Sequence, residues 1–255
     1  MKVCYVLAYR APDYIRTRSI LRALRETAGI EVFEAINQNT NASRYYETFR
    51  KTREIKERFD PDVYLLGFRG HEFYWPLRHL VGKKLIILDA LMSPYASLSN
   101  ERKHGTLGAI GATGWRLIEQ GILNDADFLL TDTSAHVDFY EREFAQLRHK
   151  MLSLPVGAEE RETSSGPVKD EAASHPKQQM TALFYGSFLP LHGIDVILEA
   201  ASSLRDLPIR FDFIGGDSKQ TRNLVAACAK LGITRYTHRQ WMEFDELINT
   251  EIPNA

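Results

Sequence analysis

The sequence predicts an α/β protein made of two successive parallel-sheet units, the second shorter than the first. Three observations carry this. Short apolar runs alternate with amphipathic stretches, the strand–helix–strand order of βαβ units. Two of these runs end in glycine turns, Tyr185-Gly186-Ser187 and Gly215-Gly216-Asp217. Between the halves, residues 158–178 hold Ser164-Ser165, Gly166-Pro167 and many charges without apolar periodicity, which reads as a linker. The expected division is 1–157, linker 158–178, and 179–255.

In the first unit Val3 to Ala8 reads as a buried strand, broken by Tyr9-Arg10-Ala11-Pro12. A helix follows from Ile15 to Ala28, with Ile20, Leu21, Leu24 and Ala28 on its apolar face and Gly29 behind it. Arg16, Arg18, Arg22 and Arg25 are expected on its outer side. Ile30 to Ala35 is the next strand. Ser43 to Phe59 is a helix stopped by Asp60-Pro61, and Asp62 to Gly67 a strand entering the turn Phe68-Arg69-Gly70-His71. Lys84 to Leu88 closes on Asp89, and a polar loop is expected from Ser93 to Gly105. Trp115 to Leu123 (helix), Phe128 to Thr131 (strand), Ser134 to Phe144 (helix) and Met151 to Leu154 (strand) complete a doubly wound domain.

The second unit begins near Gln179. Thr181 to Gly186 is a strand, Ile194 to Leu204 a helix, and the next strand ends at Gly215-Gly216-Asp217. A helix at Thr221 to Leu231, a short strand at Thr234 to Thr237 and a helix at Asp245 to Asn249 follow. From Thr181 the chain runs 75 residues. That is about half of a typical domain of roughly 150 residues, so an incomplete lobe with an uncovered apolar face is expected.

Composition excludes several classes. The chain has 255 residues, 44% hydrophobic and 25% charged, with net charge −1, so nothing draws the whole molecule toward nucleic acid. Cys4 and Cys228 are too far apart and too few for a disulfide framework or a zinc motif, and read as buried thiols. No apolar run approaches the roughly 18 residues of a spanning helix.

The candidate chemistry lies at strand ends. Gly186, Ser187, His192 and Gly193 form a glycine turn opening a helix, where backbone N–H groups and the helix dipole can hold an anion. Asp89 and Asp132 end adjacent strands, and a carboxylate at such a rim can take an acceptor hydroxyl or its proton. Asp132 also reads as a turn or helix cap, as does Asp217. Arg10 and His71 occupy other rim loops and could face an acceptor. Arg102-Lys103-His104 reads as a solvated loop.

Gly186-Ser187-Phe188, Pro190-Leu191-His192-Gly193, Glu199-Ala200-Ala201 and Phe213-Ile214-Gly215-Gly216 together resemble the start of the nucleotide-sugar domain of family 4 (group 1) glycosyltransferases. The variant Pro190-Leu191-His192-Gly193 is similar to one bacterial subgroup of that family. The resemblance implies the two-Rossmann GT-B architecture, with a complete acceptor domain and a truncated donor domain. It implies transfer of a sugar from a nucleotide-sugar to a glycan or lipid-linked acceptor, with retention, no resident cofactor and no obligatory metal. Gly186, Ser187, His192 and Gly193 would hold the donor phosphates, Asp89 would serve catalysis, and Arg10 and His71 would face the acceptor. The two buried thiols suit a reduced, cytoplasmic protein; the arginines of the first helix could attract anionic lipid at the inner membrane face, against which the interspersed glutamates favour an ordinary solvated face.

The chain departs from the family in three places. Ser187 and His192 stand where an arginine and a lysine are common, and only Asp89 remains of a histidine-aspartate pair. Glu243 and Glu251 have the spacing of the family's acidic motif, but they follow no glycine-rich strand end and read as a coincidence. The competing expectation is a non-catalytic module whose shortened lobe serves as a binding or assembly surface. Hydrolysis of a nucleotide-sugar without transfer is a third.

Overall fold

A computed structural model describes residues 1–100, 105–157, 180–188 and 192–252. The chain divides into two compact units, Met1–Glu162 and Thr163–Ala255. The linker region, Arg102-Lys103-His104 and Pro190-Leu191 lie outside the described residues.

The first unit is a six-stranded parallel sheet in the order β2-β1-β3-β4-β5-β6. The strands are β1 (Lys2–Leu7), β2 (Glu31–Ile36), β3 (Val63–Leu66), β4 (Leu85–Asp89), β5 (Phe128–Thr131) and β6 (Met151–Ser153). The inner strands are apolar on both faces because helices can cover both faces of a parallel sheet. Cys4, Val6, Tyr64, Leu66, Ile86 and Leu88 turn to one side, and Val3, Tyr5, Leu7, Val63, Leu65 and Leu130 to the other. The first side receives α2 (Ser43–Phe59), α3 (Tyr74–Val81), α5 (Gly105–Asp125) and α6 (Ser134–Phe144), through Phe49, Leu77, Ile122 and Phe144 among others.

The other side receives Ile20 and Leu21 of α1 (Ile15–Glu26). Cover there is incomplete. Leu85, Phe128 and Leu152 share that face by register and remain 45%, 49% and 60% exposed.

Several expectations are corrected. Pro94–Asn100 is a helix, α4, where a polar loop was expected, and α5 starts ten residues before Trp115. A short 3₁₀ turn, Gly70–Phe73, leads straight into α3, which the turn-like residues of that stretch conceal. Pro76 is tolerated there because it lies in the first turn, where no intrahelical N–H partner is lost. Arg16 is not on the outer side of α1: it is 1% exposed. Its position, four residues before Ile20, places it on the buried face.

The second unit has the parallel order β7-β8-β9, with β7 (Met180–Gly186), β8 (Ile209–Gly215) and β9 (Tyr236–Arg239). Helices α7 (Ile194–Ser203) and α8 (Ser218–Lys230) place Leu198, Ala201, Leu224 and Cys228 against Phe211 and Phe213. Beyond β9, α9 (Phe244–Glu246) continues into a π-helical turn, Leu247–Glu251. Both cysteines are free and buried, and burial pushes the Cys4 thiol up to about 12.

Candidate functional site

In the second unit the two glycine turns touch. The Gly216 N–H donates to the Gly186 carbonyl at 3.1 Å. A Cβ on Gly215, whose φ is +114°, would stand 2.1 Å from that same oxygen, so only glycine permits the approach. Phe188 holds φ +42°, a conformation that costs a non-glycine residue of order 1 kcal/mol or more. Its ring is buried beside Phe184, Phe213 and His238, and this packing holds the strained turn in place.

The helices after the two turns begin differently. At α8, Asp217 accepts from the amides of Lys219 and Gln220, both at 2.8 Å, and the Gln220 side chain accepts from the Asp217 N–H. That is a complete capping box, so Asp217 serves the fold. At α7 the cap is Gly193, with φ +64° and no side chain to offer the first-turn amides.

His192 precedes it. Its Nδ1 is buried without a hydrogen-bond partner, and it lies 3.4 Å from where a Cβ of Gly186 would be. A cavity of about 280 Å³ opens here, lined by Tyr185, Gly186, Ser187, His192, Ile214, Trp241, Met242 and Leu247. The four predicted phosphate residues are therefore gathered at one place, three of them on the cavity wall. Glu251 is paired with Arg239, which occupies one of the two spaced glutamates.

In the first unit Asp89 and Arg16 are spent on each other and on the backbone. Asp89 is 0% exposed and receives Arg16 Nε at 2.8 and 3.0 Å. The same guanidinium donates to the carbonyls of Leu154 at 2.7 Å and Thr131 at 3.1 Å. Burial raises the Asp89 carboxyl above its ordinary value, and Arg16 and the Leu91 amide oppose the shift. The residue expected to serve catalysis, Asp89, thus ties α1 to the ends of β4, β5 and β6.

His71, expected to face an acceptor, is likewise buried. It is 3% exposed, and burial followed by the Arg69 charge lowers it to about 4, so it is neutral and out of reach of an acceptor. Its Nε2 lies 3.8 Å from Oε1 of Glu119, too far for a hydrogen bond, and neither atom has another partner. Glu119 Oε2 accepts from Ser93 Oγ at 2.9 Å and the Tyr95 amide at 3.0 Å, while burial pushes the carboxyl up to about 7.

Arg10 is exposed, in the loop after β1, beside an aromatic group of Tyr9, Tyr14 and Phe68. The sheet order reverses between β1 and β3, the place where open α/β sheets bind ligands. Asp132 is not the cap of α6; Thr133 is, accepting from the His136 amide. Asp132 instead faces His136, which the sequence reading passed over. The signal available was an aspartate four residues before a histidine, straddling a helix cap. On α1, Arg22 pairs with Glu26 and Arg25 with Glu34, so this face is no bare cationic patch.

Among the described residues there is no group of three or more His, Cys, Asp or Glu side chains placed to hold a metal ion. None of the described helices is long and apolar enough to cross a membrane.

No protein-family model and no curated protein matches this sequence. Solved structures do match its fold. A sucrose-phosphate synthase from Thermosynechococcus elongatus aligns over 97% of this chain and 72% of its own, with TM-score 0.64 and 13% identity. The apo form of the lipopolysaccharide outer core galactosyltransferase WaaB aligns over 99% and 71%, with TM-score 0.60 and 12% identity. A putative UDP-N-acetylglucosamine 2-epimerase from Listeria monocytogenes aligns over 97% and 71%, with TM-score 0.53 and 12% identity. The chain thus has the two-Rossmann fold of GT-B glycosyltransferases, shared with enzymes named for a different reaction on a sugar nucleotide.

Proposed function

We propose that the chain is a glycosyltransferase whose second unit holds the diphosphate of a nucleotide-sugar. One observation carries the reading. At the glycine turn between β7 and α7, helix amides without a capping side chain meet a buried imidazole nitrogen without a partner, beside an open cavity. Amides at a helix start favour an anion, and His192 can add a hydrogen bond or, when protonated, a charge. Gly186, Ser187 and Gly193 let the backbone approach the phosphates. The aromatic wall of Tyr185 and Trp241 offers a surface for the base.

In this reading the catalyst stabilises the leaving diphosphate while an acceptor hydroxyl attacks the same face of the sugar, giving retention. The donor is a substrate, and no resident cofactor or metal enters the scheme. Arg10, exposed at the switch point of the first unit, faces a glycan or lipid-linked acceptor. The shared fold alone does not separate transfer from epimerisation, because function resides in sites and not in folds. The Pro190-Leu191-His192-Gly193 motif favours transfer.

Titration of UDP-glucose, UDP-galactose, UDP-N-acetylglucosamine and GDP-mannose into the chain by calorimetry tests the proposal. Saturable binding of at least one is expected. Binding of none would contradict the reading and favour a non-catalytic module.

A further inference from the structure

The two glycine turns of the second unit are held together with the help of a histidine on β9, His238. Gly215 and Gly216 flank one peptide unit. Its N–H donates to the Gly186 carbonyl at 3.1 Å, and its C=O accepts from Nε2 of His238 at 3.0 Å. The peptide is gripped at both ends, by the turn after β7 on one side and by β9 on the other.

His238 is the register partner of Phe213, so its ring lies on the helix-covered face of the sheet. There it meets the Phe188 ring edge-on, with centroids 6.0 Å apart, and Thr221 Oγ1 lies 3.4 Å from Nε2. The Thr221 hydroxyl gives its own proton to the Asp217 carbonyl at 2.9 Å, and the Gly215 carbonyl has none to give. Both neighbours of Nε2 are therefore acceptors, and Nε2 carries the proton.

The grip matters because a peptide between two glycines rotates easily. Gly215 and Gly216 hold φ +114° and +76°, and neither has a Cβ to oppose rotation of the plane between them. Half a turn of that plane would carry Gly216 to negative φ, which glycine adopts as readily. It would also swing the Gly215 carbonyl to where the N–H stood, against the Gly186 carbonyl. The turn after β7 would lose its tie to β8, and the approach to the α7 amides would change. A second, longer tie comes from Gln220, whose Nε2 donates to the Phe188 carbonyl at 3.4 Å.

We infer that His238 is a positioning residue for diphosphate binding: its Nε2–H locks the Gly215–Gly216 peptide, and that peptide fixes the turn on which the phosphates rest. The inference rests on the diphosphate reading above.

Calorimetric titration of UDP and of uridine into the full chain and two variants tests it. His238→Gln keeps an N–H near the place of Nε2, while His238→Phe keeps a ring and removes the donor. His238→Phe is expected to weaken UDP about tenfold, the size of one lost hydrogen bond, with uridine affinity and the unfolding midpoint unchanged. His238→Gln is expected to stay within about threefold of the parent. In His238→Phe the Gly216 amide should also exchange its hydrogen with solvent about tenfold faster, because its bond to Gly186 opens more often. If His238→Phe fails to fold, His238→Leu replaces it, with the same changes expected. UDP affinity of the folded variant within about twofold of the parent, unchanged Gly216 exchange, an equal loss in His238→Gln, or a parallel loss of uridine would overturn the inference and leave the diphosphate reading standing. Absence of UDP binding by the parent would overturn both.

Discussion

The two units use the same strand-turn-helix construction, and both leave buried polar atoms unpaired: His71 and Glu119 Oε1 in the first, and His192 Nδ1, whose residue stands on a cavity wall, in the second. In the first, buried charges at the rim mostly find partners within the protein: Arg16 closes on Asp89, and Glu119 takes Ser93 and an amide. In the second, the glycine turn before α7 offers no capping side chain, and the neighbouring imidazole nitrogen is unsatisfied. A rim satisfied internally holds strands and helices together. A rim whose unpaired group stands beside a cavity, as at His192, is available to a ligand. The contrast separates residues that look alike in sequence, since Asp89 and His192 both stand beside strand-end turns.

The largest expected effect breaks the closed rim. Arg16→Met leaves Asp89 buried without its counter-charge and should destabilise the first unit by about 3–5 kcal/mol in urea unfolding. The double variant Arg16→Met with Asp89→Leu should recover much of that loss, because the stranded charge is gone. If the single variant lost less than about 1 kcal/mol, the pair would not be the tie described here.

A smaller effect tests Glu119, a buried carboxylate left half-satisfied. Glu119 is held up to about 7 against an ordinary 4.5. Between those values the folded chain keeps a proton that the unfolded chain has released, so the contribution of Glu119 to stability falls as pH rises. Glu119→Gln should therefore gain on the parent from pH 5 to pH 8, by at most about 3 kcal/mol. Unfolding free energies of both proteins across that range check it. A constant difference would mean that the carboxyl titrates normally. His71, lowered to about 4, has the opposite slope and is common to both proteins, so it cancels in the comparison to first order.

Much of this contrast could be read in the sequence. The periodicity located the strands of both sheets, and the glycine turns located the second rim. Charge was the part that misled. Arg16 reads as a surface residue unless its place four residues before Ile20 is given more weight than its charge. Asp89 and His71 read as rim groups because strand ends are usually open; here α1 brings Arg16 to Asp89 from distant sequence, and His71 is buried near Glu119 of α5 without a hydrogen bond, and nothing local announces either. The stretch Tyr74–Val81 hid its helix behind Pro76 and the preceding glycine loop. The pairing of Asp132 with His136 was local and legible, and was obscured by reading Asp132 as a cap.

The smallest effect bears most directly on the central claim, that diphosphate binds at the turn beside His192. Calorimetric titration of UDP and of uridine into the chain and into His192→Ala measures it. The account predicts that UDP binds the parent more tightly than uridine does. It predicts that His192→Ala weakens UDP by about tenfold, or about 1.4 kcal/mol, with uridine affinity and the unfolding midpoint unchanged. Equal UDP affinity in parent and variant, or uridine binding as tightly as UDP, would contradict it.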